Sequence, residues 1–384
     1  MFKILTYTYR IYPNKSQKEK IDRTFIACRV MYNKLLDSMY AIHCTYKKYL
    51  QACDRAGVTV DKDHFNSTHY VPSLPIIKER FPFLKEVDSL ALCSEWHHLR
   101  RALRSFYRGK TNFPRYKGRK DKNSYTTCFV NNNIRVEGNR LRLPKVGFVK
   151  IKLHRDLPKG YKIQRVIVKE DKCGRYFAAI VIRCKSTCCP KKNLDRVVGL
   201  DFKIGEVFVS SKREIPKYPQ PYRASLSRLK QFEKELGRKR KFSKNWWRCQ
   251  IKIQKLHKKI ANKRKDFLHQ VSEILSKKYN VIAVETLSIV QIAKKLGSGT
   301  NVYDTSYCRF LAMLQYKLQR VGGQMIKISP WFPSSKKCSH CGAIDKQLKL
   351  GHRIYFCRKC FHRMDRDLNA AINIEREGLR LLCQ

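Results

Sequence analysis

The chain has 384 residues, with 83 Lys+Arg against 30 Asp+Glu, a formal net charge of +53. With 43% hydrophobic residues it is no disordered basic tail, and at about 100–200 residues per domain its length suits two or three domains with cores of their own. So many like charges destabilise a compact chain unless a polyanion binds, which points to nucleic acid and to salt-sensitive affinity.

In chain order, residues 3–12 are rich in Thr, Tyr and Ile and read as a strand ended by Pro13. Ser16-Gln17-Lys18-Glu19 matches a capping box. Ile21, Phe25, Cys28, Tyr32, Leu35 and Met39 then recur at helical spacing, predicting a helix that continues towards Leu50. Residues 51–80 read as irregular. A second helix is expected over about 87–107, with Trp96, Leu99, Leu103 and Phe106 on one face and Gly109 at its end. Short β segments follow from about 124 to 182. Hairpins are expected where 134–136 and 141–143 flank Glu137-Gly138-Asn139-Arg140, and where 166–168 and 176–182 flank Asp171-Lys172-Cys173-Gly174. The simplest account is a small β-barrel that takes residues 3–12 as its first strand and carries a helical insertion. Residues 185–193 read as a linker holding Cys188 and Cys189. Beyond it come a strand at 197–200 with a hairpin partner at 206–211, a basic helical region at about 225–277, a strand at 281–284, a helix at 305–320 and a strand at 325–328. That alternation predicts an α/β domain.

Cys338-x2-Cys341-x15-Cys357-x2-Cys360 is the strongest motif. Two knuckles would supply the four thiolates of a closed, structural Zn²⁺ site, and four unrelated cysteines would not fall into twin spacings. His340, inside the first knuckle, is a spare ligand. Cys28, Cys93, Cys249 and Cys308 sit singly among the 16 cysteines and read as reduced thiols. No stretch approaches the ~18 apolar residues of a spanning helix, and residues 1–15 lack the apolar core of a signal peptide, so a cytoplasmic, unsecreted protein with no membrane partner is expected.

Three acids also stand out. Asp201 follows the strand at 197–200, Glu285 follows that at 281–284, and Asp367 opens a helical pattern of Leu368, Ala371, Ile372 and Ile374. Strand ends and helix starts are where an α/β sheet presents side chains to a ligand. Converging there, the three would hold two Mg²⁺ ions for phosphodiester hydrolysis. Taken singly, each is as well read as a loop residue or a helix cap, and Asp365 rivals Asp367. The stretch 225–265 carries 16 Lys/Arg and two acidic residues, which favours phosphate contact over a merely solvated face. Residues 100–122 interleave Phe106, Tyr107, Phe113 and Tyr116 with ten basic residues, which suits either base stacking or packing against the helix. There is no H-E-x-x-H, P-loop, dinucleotide fingerprint or G-x-S-x-G elbow.

Nearly end to end, the chain resembles the TnpB family of insertion-sequence proteins, relatives of type V CRISPR effectors. The resemblance rests on Tyr12-Pro13-Asn14-Lys15, Cys28-Arg29-Val30-Met31-Tyr32-Asn33-Lys34, Phe113-Pro114-Arg115-Tyr116-Lys117, Gly199-Leu200-Asp201-Phe202-Lys203, Arg264-Lys265-Asp266-Phe267-Leu268-His269 and Val284-Glu285. Most specific are Pro333-Ser334-Ser335-Lys336, the paired knuckles and Asp365-Arg366-Asp367-Leu368-Asn369-Ala370-Ala371. The resemblance implies a β-barrel (wedge) domain at 1–12 and 123–185, a helical recognition lobe at 13–122, and a RuvC-like nuclease of RNase H fold at 194–384 with a zinc ribbon inserted at about 332–363. It implies an RNA-guided DNA endonuclease of a transposon, with a transposon-encoded guide RNA and double-stranded target DNA as partners. The protein would read a short motif beside the target while base pairing reads the rest. Asp201, Glu285 and Asp367 carry over as catalytic acids and Mg²⁺ ligands, with Asp367 favoured over Asp365 because it directly precedes Leu-Asn-Ala-Ala. A monomer in a prokaryotic cytoplasm, associated with the nucleoid, is expected. A guided repressor that no longer cuts and a conventional transposase are the alternatives. The chain departs from the family where Glu285-Thr286-Leu287-Ser288 replaces the frequent Glu-Asp-Leu-Asn, and where Phe202-Lys203 replaces Leu-Gly after the first acid.

Overall fold

A computed structural model describes residues 2–56, 74–119, 121–185, 195–287, 306–345, 347–348 and 351–384. The chain divides into two compact units, Met1–Thr187 and Cys188–Gln384. Apart from Lys185, the linker read at 185–193 lies outside the described residues, with its Cys188 and Cys189.

In the first unit, β1 (Phe2–Tyr12), β2 (Ser124–Cys128), β3 (Arg135–Glu137), β4 (Arg140–Leu143), β5 (Gly147–Lys152), β6 (Lys162–Glu170) and β7 (Tyr176–Lys185) form one seven-stranded sheet in the order β2-β6-β7-β1-β5-β4-β3. β1 runs antiparallel to both neighbours, with Lys3 opposite Cys184 and Arg10 opposite Lys152. The expected long-range pairing of the first strand is therefore present, and so are both hairpins. Among the described residues no ladder joins β2 to β3, so by hydrogen bonding the sheet is open rather than a closed barrel.

Between β1 and β2 run the helices α1 (Lys15–Arg55), α2 (Leu74–Arg80) and α3 (Ser89–Tyr107). The cap of α1 corrects the expected box at Ser16 and Glu19. Asn14 is the N-cap: its Oδ1 accepts from the Gln17 N–H at 2.8 Å, and Gln17 Oε1 accepts from the Asn14 N–H at 3.1 Å. The box sits two residues earlier because Asn is as good a cap as Ser and Gln17 already fills the third position. Residues 51–80 are also more regular than expected, since α1 reaches Arg55 and α2 starts at Leu74. Ile21, Phe25, Cys28, Leu35 and Met39 are buried against the sheet together with Leu99 and Leu103 of α3. Two of the rings in 100–122 are spent on packing: Phe113 lies 5.1 Å from Phe106, 5.0 Å from His43 and 5.9 Å from Tyr40.

The second unit holds a four-stranded sheet ordered β11-β10-β8-β9, from β8 (Val197–Phe202), β9 (Phe208–Ser210), β10 (Val281–Glu285) and β11 (Gln324–Ile328). β8, β10 and β11 are parallel, and β9 returns antiparallel beside β8. The basic region is two helices, α4 (Leu226–Gly237) and α5 (Lys244–Lys278), followed by α6 (Tyr307–Arg320) and, after the small ribbon β12 (Ile354–Phe356) and β13 (Arg363–Asp365), α7 (Arg366–Leu382). Side chains alternate across a strand. Val198, Leu200, Ile282 and Val284 accordingly bury one face against Leu268 and Leu275 of α5 and Phe310 and Leu314 of α6. The opposite face is left for α7.

Candidate active site and metal centre

Backbone proximity puts the three acids together. A β-carbon at Gly199 would lie 2.1 Å from the Ala371 carbonyl oxygen, and one at Gly378 would lie 2.4 Å from the Ala283 β-carbon. These two glycines let α7 lie directly on β8 and β10. Residues 199 and 201 share one face of β8, and 283 and 285 share one face of β10. Asp201 and Glu285 therefore point to the side occupied by α7. They sit one position beyond the paired residues Leu200 and Val284, on adjacent parallel strands. Asp367 enters from the first turn of α7.

Their electrostatics follow. Asp201 is held well above the usual carboxylate range, first by burial, then by the like charges of Glu285 and Asp367, with Arg366 acting against them. Burial likewise pushes Glu285 up, and the Ser334 hydroxyl, which donates to Glu285 Oε1, pulls part of the way back. Lys203 Nζ lies 3.6 Å from Asp367 and 3.4 Å from Glu206. Tyr307 is buried behind the acids, 4.7 Å from the Phe202 ring, and among the described residues its hydroxyl has no hydrogen-bond partner. Mutually repelling carboxylates are a donor set that suits hard divalent cations. Asp365 does something else: it is the N-cap of α7, its Oδ1 accepting the Leu368 N–H at 3.0 Å.

Sequence reasoning gave no role to Ser334 or Tyr307, and took Lys203 only as a departure that could tune the surroundings of the first acid. Ser334 and Lys203 lay in the motifs carrying the family resemblance; Tyr307 carried no signal. Of the departures at the second acid, Thr286 Oγ1 donates to the Ile328 carbonyl at 2.8 Å, tying the end of β10 to β11, and Ser288 lies outside the described residues.

The four cysteine sulfurs of Cys338, Cys341, Cys357 and Cys360 lie within 4.8 Å of one another. Cys338 and Cys360 are 3.7 Å apart and Cys341 and Cys357 3.5 Å. A tetrahedron with Zn–S bonds of about 2.3 Å has edges of about 3.8 Å, so the cluster could hold a zinc ion. Gly342 at φ +78° and Phe361 at φ +57° turn the two knuckles. Burial raises the Cys357 thiol, but the backbone N–H groups of Cys360 and Lys359 together with the neighbouring thiols of Cys341 and Cys360 outweigh it, bringing it to about 6. His340 is outside the set; its ring stacks on His362 at 5.4 Å. The first knuckle is bonded to α7: Asn369 Oδ1 accepts from Ser339 N–H at 2.9 Å, and Asn373 Nδ2 donates to the carbonyls of Ser334 at 2.8 Å and Lys337 at 2.6 Å.

Three family models match the chain. The one described as Cas12f1-like, TNB domain, covers residues 307–374, one described as Probable transposase covers 179–296, and a Helix-turn-helix domain model covers 1–43. The last name does not describe these residues, which hold a strand and one helix. A Streptomyces pristinaespiralis protein named as an RNA-guided DNA endonuclease is 30% identical over 97% of this chain and 89% of its own length. InsQ of Escherichia coli K12, named likewise, is 25% identical over 100% of this chain and 94% of its own. Among solved structures, a Cas12f1 chain from a complex with single-guide RNA and target DNA superposes with a TM-score of 0.57 over 98% of both chains at 13% identity, which shows a shared fold.

Proposed function

The chain belongs to the TnpB family, and on that premise we propose that it is an RNA-guided DNA endonuclease of a transposon, cutting DNA beside a short adjacent motif. The observation that carries this reading is the convergence of Asp201, Glu285 and Asp367 from β8, β10 and α7. In this reading the second unit is a RuvC-like nuclease of RNase H fold with a zinc ribbon at about 332–363. The first is a wedge-type β domain (1–12 and 123–185), its sheet left open by hydrogen bonding where a barrel was expected, with a helical recognition lobe at 13–122. The partners are a guide RNA encoded by the transposon and double-stranded DNA, and the setting is a prokaryotic cytoplasm. Among the described residues no helix is long and apolar enough to cross a membrane.

Two Mg²⁺ ions held by the three carboxylates would activate a water and stabilise the leaving oxygen of the phosphodiester. The chain's own residues prepare that reaction. Burial and mutual repulsion leave Asp201 short of counter-charge, a deficit that bound cations would relieve. Ser334 fixes the Glu285 carboxylate by donating to its Oε1. Lys203, beside Asp367, holds a positive charge where a phosphate oxygen would arrive.

The test uses the protein purified with its guide RNA and a plasmid carrying the matching target behind a randomised flank. Wild type is expected to deplete one flank in a Mg²⁺-dependent manner. Asp201→Ala, Glu285→Ala and Asp367→Ala are each expected to lose cleavage by about 10³-fold or more while retaining the RNA. Full activity in any one of them would sink the assignment.

A further inference from the structure

Where the α4–α5 hairpin turns over, three rings crowd together. Phe242 lies 5.5 Å from Trp246 and 6.3 Å from Trp247, and the two indoles meet edge-on at 4.8 Å. Part of this is local. Ser243 caps α5 by accepting the Trp246 N–H at 3.1 Å, and a ring before the cap packed on the fourth helical residue is a hydrophobic staple. A staple needs one modest apolar pair. Here Phe242 is 72% and Trp247 48% exposed. Phe242 also stands at φ +66°, a backbone state that suits Gly or Asn and disfavours an aromatic residue. Strain of that kind persists where something selects for it.

The charge around the rings indicates what. Residues 238–248 contain Arg238, Lys239, Arg240, Lys241, Lys244 and Arg248 and no acid. Among the described residues, Arg238, Arg240, Lys241 and Lys244 have no carboxylate partner. The charge continues away from the turn. Arg248, Lys252, Lys255, Lys259 and Lys263 are all exposed at three- and four-residue spacing along α5, a stripe of roughly 22 Å at 1.5 Å per residue. The hairpin that carries it is stiffened by its own core of Leu229, Ile253 and Ile260.

We propose that this hairpin docks an RNA stem–loop: unpaired loop bases stack on Phe242 and Trp247, while phosphates of the adjoining stem lie along the α5 stripe. Every base offers a π-face, so rings beside a cationic track hold single strands without reading sequence, and loops are where RNA presents unstacked bases. An anionic membrane would engage the tip but leave the stripe, which runs away from it, without a ligand. Exposed rings beside a cationic track fit the unpaired bases of an RNA loop better than duplex DNA, whose bases are already stacked on one another. The proposal rests on the reading of this chain as an RNA carrier, and not on its cutting anything.

The test titrates the full-length chain, without Mg²⁺, with two fluorescein-labelled RNAs of equal phosphate number: a stem closed by a loop of uridines, and a blunt duplex. The looped RNA is expected to bind about 10-fold tighter and to quench tryptophan fluorescence. In Phe242→Ala/Trp247→Ala the preference should vanish, with duplex affinity and far-UV circular dichroism unchanged. Phe242→Tyr/Trp247→Phe should keep it, and Phe242→Gly should raise Tm while weakening it. Equal weakening of both RNAs by the double alanine variant, or no change in either, overturns the proposal. So does a blue-shifted tryptophan emission on phosphatidylglycerol vesicles without any loop preference, which would make the tip a membrane anchor. Wild-type protein that binds neither RNA overturns the RNA-carrier reading as well, whereas a failure to cleave DNA touches only the nuclease assignment.

Discussion

Asp365 and Asp367 stand two positions apart, yet they do different things. Asp365 spends its carboxylate on the Leu368 N–H as a helix cap, and Asp367 adds to the negative field on Asp201. That field has a stability consequence whose sign can be worked out. An aspartate whose folded pKa lies above its unfolded value of about 3.9 binds its proton more tightly when folded. Below that value both states are protonated and nothing is lost. As pH rises from about 4 through the folded pKa, the fold loses stability. Asp201→Asn should therefore melt higher than wild type in Mg²⁺-free buffer at pH 7.5, with the gap narrowing towards pH 4. Adding Mg²⁺ should raise Tm in wild type and much less in the variant. Melting curves across pH 4–8 check this, and a gap independent of pH would count against the like-charge account.

At the scale of elements, α7 is the piece on which the site depends, and it is held from two sides. On the sheet side, Gly378→Ala pushes a methyl into Ala283 and should cost roughly 1–3 kcal/mol. Ala283→Gly in the same chain should recover part of that loss, a coupling that a double-mutant cycle in urea would measure. On the other side, Asn369 binds α7 to the first cysteine knuckle, and Asn373 binds it to the carbonyls of Ser334 and Lys337 just before that knuckle. Cys357→Ser should release zinc and, by freeing that knuckle, abolish cleavage although no cysteine belongs to the three-acid site; metal analysis and the plasmid assay read the two effects separately. Much of this was legible beforehand. The strands at 197–200 and 281–284 are short apolar runs, the knuckles have fixed spacing, and α7 shows its period in Leu368, Ala371 and Ile374. The rest depended on contacts that a sequence does not display. Asn14 and Ser16 are equally good caps, and only packing chooses between them. Gly237 and Ser243, which break the basic region in two, are both tolerated inside helices. The aromatic turn at 242–247 was hidden for a similar reason: two tryptophans inside a charge run look like core until their exposure is known.

For the molecule as a whole, the +53 charge predicts how affinity responds to salt. Each phosphate neutralised should contribute about −0.7 to −0.9 to the slope of log K against log salt, so RNA binding measured between 50 and 200 mM salt should weaken by orders of magnitude. A flat dependence would mean that the cations merely solubilise the chain. The distance between the acids along the chain has a different consequence. Asp201 and Asp367 are separated by 367 − 201 = 166 positions, and Gly199 and Ala371, whose close approach unites them, by 371 − 199 = 172. Contacts of such span form late, because closing a long loop costs entropy before any contact offsets it. The α4–α5 hairpin, by contrast, is built from neighbours in sequence and can form early. On that order of assembly the surface proposed to receive RNA would precede the site proposed to cut DNA, which pulse-labelled hydrogen exchange during refolding would read as protection of α4 and α5 before β8.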